Sequence, residues 1–361
     1  MSKLLLVDTK GTGHHKNYAE LVIEAAKEKY NKEIYFLSEY EIENVKNINL
    51  NFLNNNNIFF RAILRFFWIL NVFKIAKQKQ IKHIHFLHLD SLIIISPLIY
   101  FLLIFNTNFN ITATLHHFKL NKMKPLFLKL LTKKIQKVVV HGKYLKSLLK
   151  TKSINNVINI EYPATHNFFP GKDKAREILG FNKEENILLS LGGTRKNKGL
   201  DILLKALDYI KSEKFSLIIA GKEEYFTKEF ILEKIKNYRK KVIVDLEFIS
   251  DKKFSLYLEA GDAVILPYTK SFMGQSGPLT EGVNHNCFVI SSEHGQIGNT
   301  VKKNNLGFVF EEGNAKDLSE KISKYISNKN NKLFKCNTKK YRKYKKEIGK
   351  EVFKSKYIRI L

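Results

Sequence analysis

Short runs of β-forming residues alternate with helix-length segments in two separate stretches of this chain. In the first stretch the predicted strands are Leu4–Asp8, Glu33–Leu37, Ile84–Leu87, Ile111–Leu115 and Val138–His141. In the second they are Ile187–Leu191, Ser216–Ala220, Val242–Leu246, Ala263–Leu266, Phe288–Ser291 and Gly307–Phe310. Such alternation produces parallel sheets with helices on both faces. The sequence therefore predicts an α/β protein with two Rossmann-like, doubly wound domains.

The segment between the two stretches has the composition of an interdomain linker. From Glu161 to Asp173 it carries Pro163, Pro170 and Gly171 and has no clear apolar period. The predicted parts are an N-terminal domain of residues 1–165, a linker of residues 166–185, a C-terminal domain of residues 186–327 and a tail of residues 328–361. The tail is strongly basic but carries apolar residues at helical spacing, so we expect it to be helical and to pack back on the N-terminal domain.

The composition is that of a folded and strongly basic protein. Of the 361 residues, 62 are Lys or Arg and 34 are Asp or Glu, which gives a formal net charge of +28, and 44% are hydrophobic. That hydrophobic content excludes disorder as the main state. Only Cys287 and Cys336 are present, which excludes a disulfide framework and a Cys-rich metal site and is compatible with the cytoplasm.

No targeting or membrane-spanning segment is predicted. The first apolar run reaches Asp8 after four residues, whereas a signal peptide needs a longer hydrophobic stretch. The longest apolar run, Leu92–Phe105, has 14 residues and is interrupted by Ser96 and Pro97. A helix that spans a bilayer needs about 20.

A glycine-rich loop that contains Gly11 and Gly13 follows the first strand and opens the first helix. Backbone N–H groups at such a position can bind a phosphate or a sugar hydroxyl. Lys16 occupies the place of the third glycine in the dinucleotide-binding fingerprint. The pattern fits a ligand-binding loop and a simple tight turn equally well.

A second glycine-bounded loop, Gly193–Gly199, follows the first strand of the second stretch and precedes a helix. Arg195 and Lys198 are three residues apart within it, so both cations can approach one diphosphate. The partial positive charge of the helix N-terminus adds to this attraction. The loop therefore predicts phosphate binding, whereas a solvated loop would not need both glycines.

The third motif follows the strand Ala263–Leu266 and leads through a polar loop into a helix. The loop and helix start contain Ser276, Gly277, Pro278, Leu279 and Glu281. Open α/β sheets bind ligands at the carboxyl ends of their strands, where this loop would lie. Glu281 can contact a ligand there, or it can simply compensate the helix dipole.

Together these motifs resemble the nucleotide-sugar domain of family-four retaining glycosyltransferases, the group 1 type, which have GT-B architecture. Gly193–Gly199 matches the family's Gly-x-Arg-x-x-Lys-Gly loop, and the likeness covers most of residues 186–327. Glu281 matches the second glutamate of the family's Glu-x7-Glu motif, which implies hydrogen bonds to a ribose. Met273 stands where the first glutamate would be, so the chain departs from the motif.

The resemblance implies a nucleoside-diphosphate sugar donor in a cleft that two facing domains form, with its nucleotide on the C-terminal domain. Arg195 and Lys198 would stabilise the leaving diphosphate, and the amides of the loop before Glu281 would face the diphosphate and sugar. It also implies retention of the anomeric configuration, without a cofactor. We expect no metal, because His83 and His85 alternate on a strand without local Cys or acidic ligands.

His116 is the candidate site residue of the N-terminal domain. The sequence Thr112–His117 resembles the family's strand that ends in Thr-x-His, which implies that His116 faces the donor sugar. A structural histidine with a hydrogen-bonded ring is the alternative. His88, at the end of the preceding strand, is a weaker candidate.

Between Leu92 and Ile160 there is no Asp or Glu, while 11 lysines occur from Lys119 to Lys152. If residues 119–134 form a helix, Lys119, Lys122, Lys129 and Lys133 share one face, which an anionic membrane would attract. The segment Asn57–Lys77 is apolar nearly all round and fits a buried or an interfacial helix. We therefore expect a cytoplasmic protein that is peripheral on the inner face of the cell membrane.

The sequence thus predicts a transferase that moves a sugar from a nucleoside-diphosphate sugar to a saccharide or lipid-linked acceptor, in cell-surface polysaccharide or glycoconjugate synthesis. A catalytically inactive GT-B partner subunit is one alternative, because of Met273. A nucleic-acid-binding protein is another, although only 7 of the basic residues are Arg and no RNA- or DNA-binding motif is present. We expect no nucleic-acid partner.

Overall fold

The computed structural model describes residues 2–9, 15–51, 56–105, 108–118, 124–211, 215–238, 242–247, 249–328, 336 and 338–361. The chain divides into two compact units. The first comprises Met1–Glu161 and Lys350–Leu361, and the second comprises Tyr162–Gly349. In the described residues each unit contains a parallel sheet covered by helices, which confirms the predicted pair of Rossmann-like domains.

In the described part of the first unit, seven strands form one sheet in the order β3-β2-β1-β4-β5-β6-β7. They are β1 (Leu4–Val7), β2 (Ile34–Ser38), β3 (Lys46–Asn49), β4 (His83–Phe86), β5 (Asn110–Leu115), β6 (Lys137–Val140) and β7 (Val157–Asn159). All neighbouring strands run parallel. The edge strand β3 is mostly exposed, whereas β1 is buried on both faces and is wholly apolar.

The helices of the first unit cover the two faces of this sheet differently. They are α1 (His15–Tyr30), α2 (Ile58–Gln78), α3 (Ser96–Phe105), α4 (Lys124–Thr132), α5 (Lys143–Thr151) and α14 (Lys350–Tyr357). Helices α2 to α5 pack on an apolar face that includes Ile84 and Phe86. Helices α1 and α14 contact each other, and the sheet face beside them carries His83 and His85, because side chains alternate along a strand.

In the described part of the second unit, six parallel strands form a sheet in the order β10-β9-β8-β11-β12-β13. They are β8 (Asn186–Leu191), β9 (Phe215–Ala220), β10 (Val242–Asp245), β11 (Ala263–Leu266), β12 (Phe288–Ser292) and β13 (Gly307–Phe310). The helices are α6 (Lys172–Leu179), α7 (Leu200–Leu207), α8 (Lys228–Lys234), α9 (Asp251–Ala260), α10 (Gly277–Asn284), α11 (Gly295–Asn304), α12 (Ala315–Asn328) and α13 (Lys339–Glu347). The strand order is that of the Rossmann fold, and it reverses between β8 and β11.

Two segments differ from the predicted boundaries. Residues 166–185, predicted as a linker, contain α6, which packs on α9 and buries Arg176 in the second unit. The guanidinium of Arg176 lies 2.7 Å from the carboxylate of Asp262, a partner that local sequence cannot indicate. The basic tail, predicted to pack on the first domain, is divided: α13 belongs to the second unit and α14 to the first.

Among the described helices, none has both the length and the apolar character needed to cross a bilayer.

Candidate functional site

The loops after β8 and β11 lie side by side at the point where the strand order of the second sheet reverses. Ligands of open α/β sheets bind at such a switch point, beyond the carboxyl ends of the strands. A pocket is present here, and its lining includes Gly192, Gly193, Thr194, Lys198 and Tyr268. The structure thus brings together the second and third sequence motifs.

Thr194 fixes the loop after β8. Its buried hydroxyl donates a hydrogen bond to the carbonyl of Phe226 at 2.7 Å and accepts the backbone N–H of Glu224 at 2.8 Å. Gly199 ends the loop with φ = +64°, and a Cβ there would lie 1.9 Å from the carbonyl oxygen of Pro267. Only glycine tolerates both the conformation and this close approach.

The two cations of the loop have different surroundings. Arg195 is exposed, and its Nε lies 3.5 Å from a carboxylate oxygen of Glu224. Lys198 is partly buried, with its ammonium 3.9 Å from the ring centroid of Tyr268 and 4.8 Å from that of Phe272. Desolvation, followed by the nearby charge of Arg195, lowers the pKa of Lys198 well below its usual value. A bound anion would raise the pKa of Lys198 again, because it favours the charged ammonium.

The loop after β11 is joined to the loop after β8 and leads into α10. The backbone N–H of Thr269 donates to the carbonyl of Asn197 at 3.1 Å. Ser276 is the N-cap of α10, and its hydroxyl accepts the N–H of Leu279 at 3.3 Å. A Cβ at Gly277 would meet nothing within 4 Å, so the start of α10 is open beside this residue.

The predicted residues on α10 therefore differ in their accessibility. Gly277 and Pro278 begin the helix at a partly exposed position, with Pro278 in the first turn. Leu279 is fully buried in the hydrophobic core, so its side chain faces away from any ligand at the loop. Met273, at the place of the missing glutamate, is partly exposed in the preceding loop.

Glu281 is held in a network with the chain that enters the second unit. Its Oε1 accepts the N–H of Thr165 at 2.6 Å and the hydroxyl of Thr165 at 3.0 Å, and its Oε2 accepts the N–H of His166 at 3.3 Å. The His166 ring also approaches Oε1 at 3.0 Å. Only 4% of Glu281 is exposed. Sequence reasoning missed these contacts, because the partners are more than a hundred residues apart in the chain.

In the first unit, His116 follows β5 directly, as predicted. The carboxylate of Asp90 accepts the backbone N–H groups of His116 at 3.2 Å and His117 at 2.5 Å. The His116 Nε2 lies 3.0 Å from the carbonyl oxygen of Leu87, to which a protonated Nε2 donates. Burial raises the pKa of Asp90, although the imidazole of His117 opposes this effect.

Further aromatic and imidazole rings surround His116 at this end of the sheet. His116 stacks on His88 at 4.3 Å between centroids and lies 4.9 Å from both His141 and Tyr18. Burial lowers the pKa of His141 to about 4. Sequence reasoning missed His141, although it follows β6 just as His116 follows β5. The position after each strand is the signal that could have found it.

Tyr18 in turn belongs to a buried hydrogen-bond network. Its hydroxyl contacts that of Tyr357 in α14, which lies 2.5 Å from the hydroxyl of Thr114. His85 lies between Thr114, at 3.2 Å, and Thr112, at 2.8 Å. Burial lowers the pKa of His85 to about 3. A neutral histidine thus connects two strands to the helix that supports Tyr18.

Some predicted residues lie outside the described residues, namely Gly11, Gly13, Lys119 and Lys122. Among the described residues, no group of three or more His, Cys, Asp or Glu side chains has an arrangement that could hold a metal ion. The expectation of metal-independent chemistry stays a prediction.

Residues 171–348 match the family model described as glycosyl transferases group 1. This segment of the chain therefore matches the group 1 glycosyltransferases. The segment covers nearly all of the second unit and contains both loops at the switch point. The match confirms the resemblance to group 1 glycosyltransferases, whereas the family-four, retaining assignment stays a prediction.

Two curated relatives are similar to parts of this chain. It is 28% identical over 206 residues to an uncharacterized glycosyltransferase of Methanocaldococcus jannaschii, which is 56% of this chain and 53% of the relative. It is 25% identical over 163 residues to the glycogen synthase of Thermodesulfovibrio yellowstonii, which is 45% of this chain and 32% of that enzyme. The chain thus matches about half or less of the length of these relatives.

A solved structure resembles nearly the whole chain. HepE of Anabaena, solved in complex with UDP, superposes with a TM-score of 0.75 at 14% identity and covers 98% of both chains. This likeness concerns the fold alone. It confirms the predicted GT-B architecture of two Rossmann-like domains.

Proposed function

We propose that this protein is a glycosyltransferase that moves a sugar from a nucleoside-diphosphate sugar to a saccharide or lipid-linked acceptor, in the synthesis of a cell-surface polysaccharide or glycoconjugate. The observation that carries the proposal is the pair of cations, Arg195 and Lys198, in the loop at the switch point of the second unit. The matching family and the UDP bound by HepE support a nucleotide-sugar donor.

In the proposed reaction, the bond between the anomeric carbon and the diphosphate oxygen breaks. The acceptor hydroxyl oxygen bonds to that carbon, and its proton goes to the departing diphosphate or to water. Negative charge grows on the leaving diphosphate, and Arg195, Lys198 and the N–H groups at the start of α10 would stabilise it in the transition state. Family resemblance supports retention of configuration, and we assign no enzymatic nucleophile because Met273 replaces the first glutamate.

The remaining predicted residues would bind other parts of the substrates. The open helix start at Gly277 allows the backbone to approach a phosphate closely. Gly193 would contact the phosphate through its backbone N–H, because the Glu224 carboxylate occupies the space beside its Cα, 2.8 Å from where a Cβ would lie. Glu281 would accept a ribose hydroxyl through Oε2, which has fewer contacts than Oε1. His116, held by Asp90, would contact the donor sugar. We propose no metal and no cofactor.

An inactive GT-B partner subunit is the second candidate, and Met273 is the observation that favours it. Such a subunit could retain nucleotide binding without transfer. We also propose that the protein acts on the cytoplasmic face of the membrane as a peripheral protein, which suits a lipid-linked acceptor and the net charge of +28.

The experiment that tests the proposed function is a calorimetric screen of UDP-, GDP- and CDP-sugars, followed by turnover assays with the donors that bind. The proposal predicts saturable binding of one nucleotide class and release of its nucleoside diphosphate when an acceptor is present. Binding without release in the presence of diverse acceptors would favour the inactive subunit. Absence of binding by every donor would contradict both functions.

A further inference from the structure

Exposed apolar side chains are concentrated on one side of the first unit. Fourteen large apolar side chains are exposed among the described residues, and eight of them lie between Phe59 and Leu126. The other six are scattered through the second unit, where single exposed apolar residues need no explanation. The concentration of exposed apolar side chains in the first unit needs an explanation.

Helix α2 is apolar on its outer face as well as on its inner face. Trp68, Ile69 and other residues of the inner face are buried in the core. On the outer face, Phe60 is 56% exposed and Phe67 is 60% exposed. Ile63 lies between them at helical spacing, so the three residues form one stripe.

Helix α3 extends this stripe into a continuous surface. It contacts both α2 and α4, and it buries Ile99 and Leu103 in the same core layer as Trp68. Its outward positions are Leu98, Phe101 and Ile104, of which Phe101 is 60% exposed. The helix has no charged residue. We call six of the exposed residues of α2 and α3 the apolar face: Phe60, Ile63, Phe67, Leu98, Phe101 and Ile104.

Lysines border the apolar face. Lys129 and Lys133 are exposed on and just after α4, and Lys74 is exposed on the outer side of α2 after the apolar stripe. Asp90 is the only acidic residue between Val45 and Ile160. Its carboxylate accepts the backbone N–H groups of His116 and His117. The charged side chains that α2 and α4 contribute beside this face are therefore all basic.

This combination favours a lipid surface over a protein partner. Protein interfaces are depleted in Lys relative to the rest of the surface. An apolar face surrounded by lysines instead matches the boundary between acyl chains and anionic headgroups, where Phe and Leu enter the hydrocarbon and Lys meets the phosphates.

We propose that the apolar face of α2 and α3 is the surface that docks on an anionic bilayer, with Lys129 and Lys133 binding headgroups. This inference rests on the proposed peripheral membrane association and is independent of the proposed transferase activity. It adds a contact that a lysine face alone does not provide, because insertion of apolar side chains supplies the larger part of the binding.

The test compares three variants in co-sedimentation with vesicles of phosphatidylcholine alone or mixed with phosphatidylglycerol, over a salt series. The first carries Phe60→Ser, Phe67→Ser and Phe101→Ser, and its binding should fall roughly a hundredfold or more. The second carries Lys129→Gln and Lys133→Gln, and we expect a loss of about fivefold for each lysine, which high salt reduces.

The matched control carries Ile178→Ser, Tyr209→Ser and Ile243→Ser, three exposed apolar residues of the second unit, and it should bind like the wild type. Trp68, the only tryptophan, is buried in α2, so its unchanged emission would show that the fold is intact. Calorimetric donor binding should be the same in all variants. If the wild type binds vesicles but binds no donor, only the proposed function is contradicted.

Two results would overturn the docking surface. One is equal binding of anionic vesicles by the triple Phe variant and the wild type. The other is a wild-type protein that ignores vesicles but forms dimers in sedimentation velocity, with the triple variant monomeric. That second result would assign the apolar face to another copy of the chain.

Discussion

The carboxylate of Glu281 accepts the backbone N–H of Thr165 at 2.6 Å, and the same group contacts the ring of His166 at 3.0 Å. A residue that family resemblance assigns to ribose thus also fixes the segment that enters the second unit. Its buried carboxylate satisfies two backbone N–H groups, each of which would lose a charged acceptor if the carboxylate were removed.

We predict that Glu281→Gln lowers the free energy of unfolding by about 1–3 kcal/mol, because the amide replaces one accepting oxygen with a donor that faces N–H groups. Urea denaturation measures the loss, and Glu320→Gln, at an exposed position, is the control. If Oε2 also accepts a ribose hydroxyl, the affinity for the nucleoside diphosphate falls as well. Unchanged stability would contradict the structural role.

The stability of the second unit should depend on pH through His166. Burial lowers the pKa of His166, but hydrogen bonds and charges of Glu281 and Asp251 outweigh it, so the pKa is raised overall. The stabilisation is therefore complete below about pH 6.5, the unfolded value, and is lost as the pH rises through the folded value. The difference between wild type and His166→Gln in urea denaturation should shrink with rising pH. A constant difference would exclude a charged His166.

Asp262 should be essential for folding of the second unit. It accepts from Arg176 at 2.7 Å and from the backbone N–H of Ile187 at 2.8 Å, and it pairs with Lys172. We predict that Asp262→Asn costs about 3–5 kcal/mol, since it leaves the buried guanidinium without its counter-charge. The exposed pair of Asp173 and Lys183 provides the control, and Asp173→Asn should change the free energy of unfolding by less than about 1 kcal/mol. Equal effects of both variants on the urea midpoint would contradict this account.

The strands of both sheets can largely be predicted from sequence, and the exceptions have physical reasons. Apolar runs such as Leu4–Val7 are buried on both faces and stand out from their surroundings. The edge strand Lys46–Asn49 is mostly exposed and has no such run, so its pattern does not predict a strand. Helix Lys172–Leu179 falls within the predicted linker, because its burial depends on Arg176 and Asp262, which are 86 residues apart.

Tyr357 should contribute to the stability of the first unit and to the support of His116. Its hydroxyl contacts the hydroxyls of Thr114 and Tyr18, and the Tyr18 ring lies against His116. Tyr357→Phe should lower the free energy of unfolding by about 1–3 kcal/mol, because two buried hydroxyls lose a partner. Tyr209→Phe, at an exposed ring, should have no measurable effect in the same thermal or urea scan. A stability loss shared by both variants would mean that burial of the hydroxyl is unimportant.

The candidate site can be predicted where one loop supplies several of its residues. Arg195 and Lys198 stand three residues apart in one turn, and the structure keeps both in the loop at the switch point. The support for His116 cannot be predicted in this way, because Tyr18, His141 and Asp90 come from separate elements. Only the fold brings them to the same end of the sheet.

The central claim is that Arg195 and Lys198 bind the diphosphate of the donor. The most direct test is a calorimetric comparison of the affinities for UDP and uridine monophosphate. If the protein prefers another base, the diphosphate and monophosphate of that nucleoside are compared instead. The wild type should favour the diphosphate. Arg195→Ala and Lys198→Ala should each weaken diphosphate binding by roughly 10–150-fold, equivalent to about 1.5–3 kcal/mol, and reduce that preference. Lys196→Ala is the control in the same loop, because the Lys196 ammonium lies 5.5 Å from the Tyr225 ring centroid. This variant should retain the preference for the diphosphate. Wild-type diphosphate affinity in both Arg195→Ala and Lys198→Ala would contradict the account.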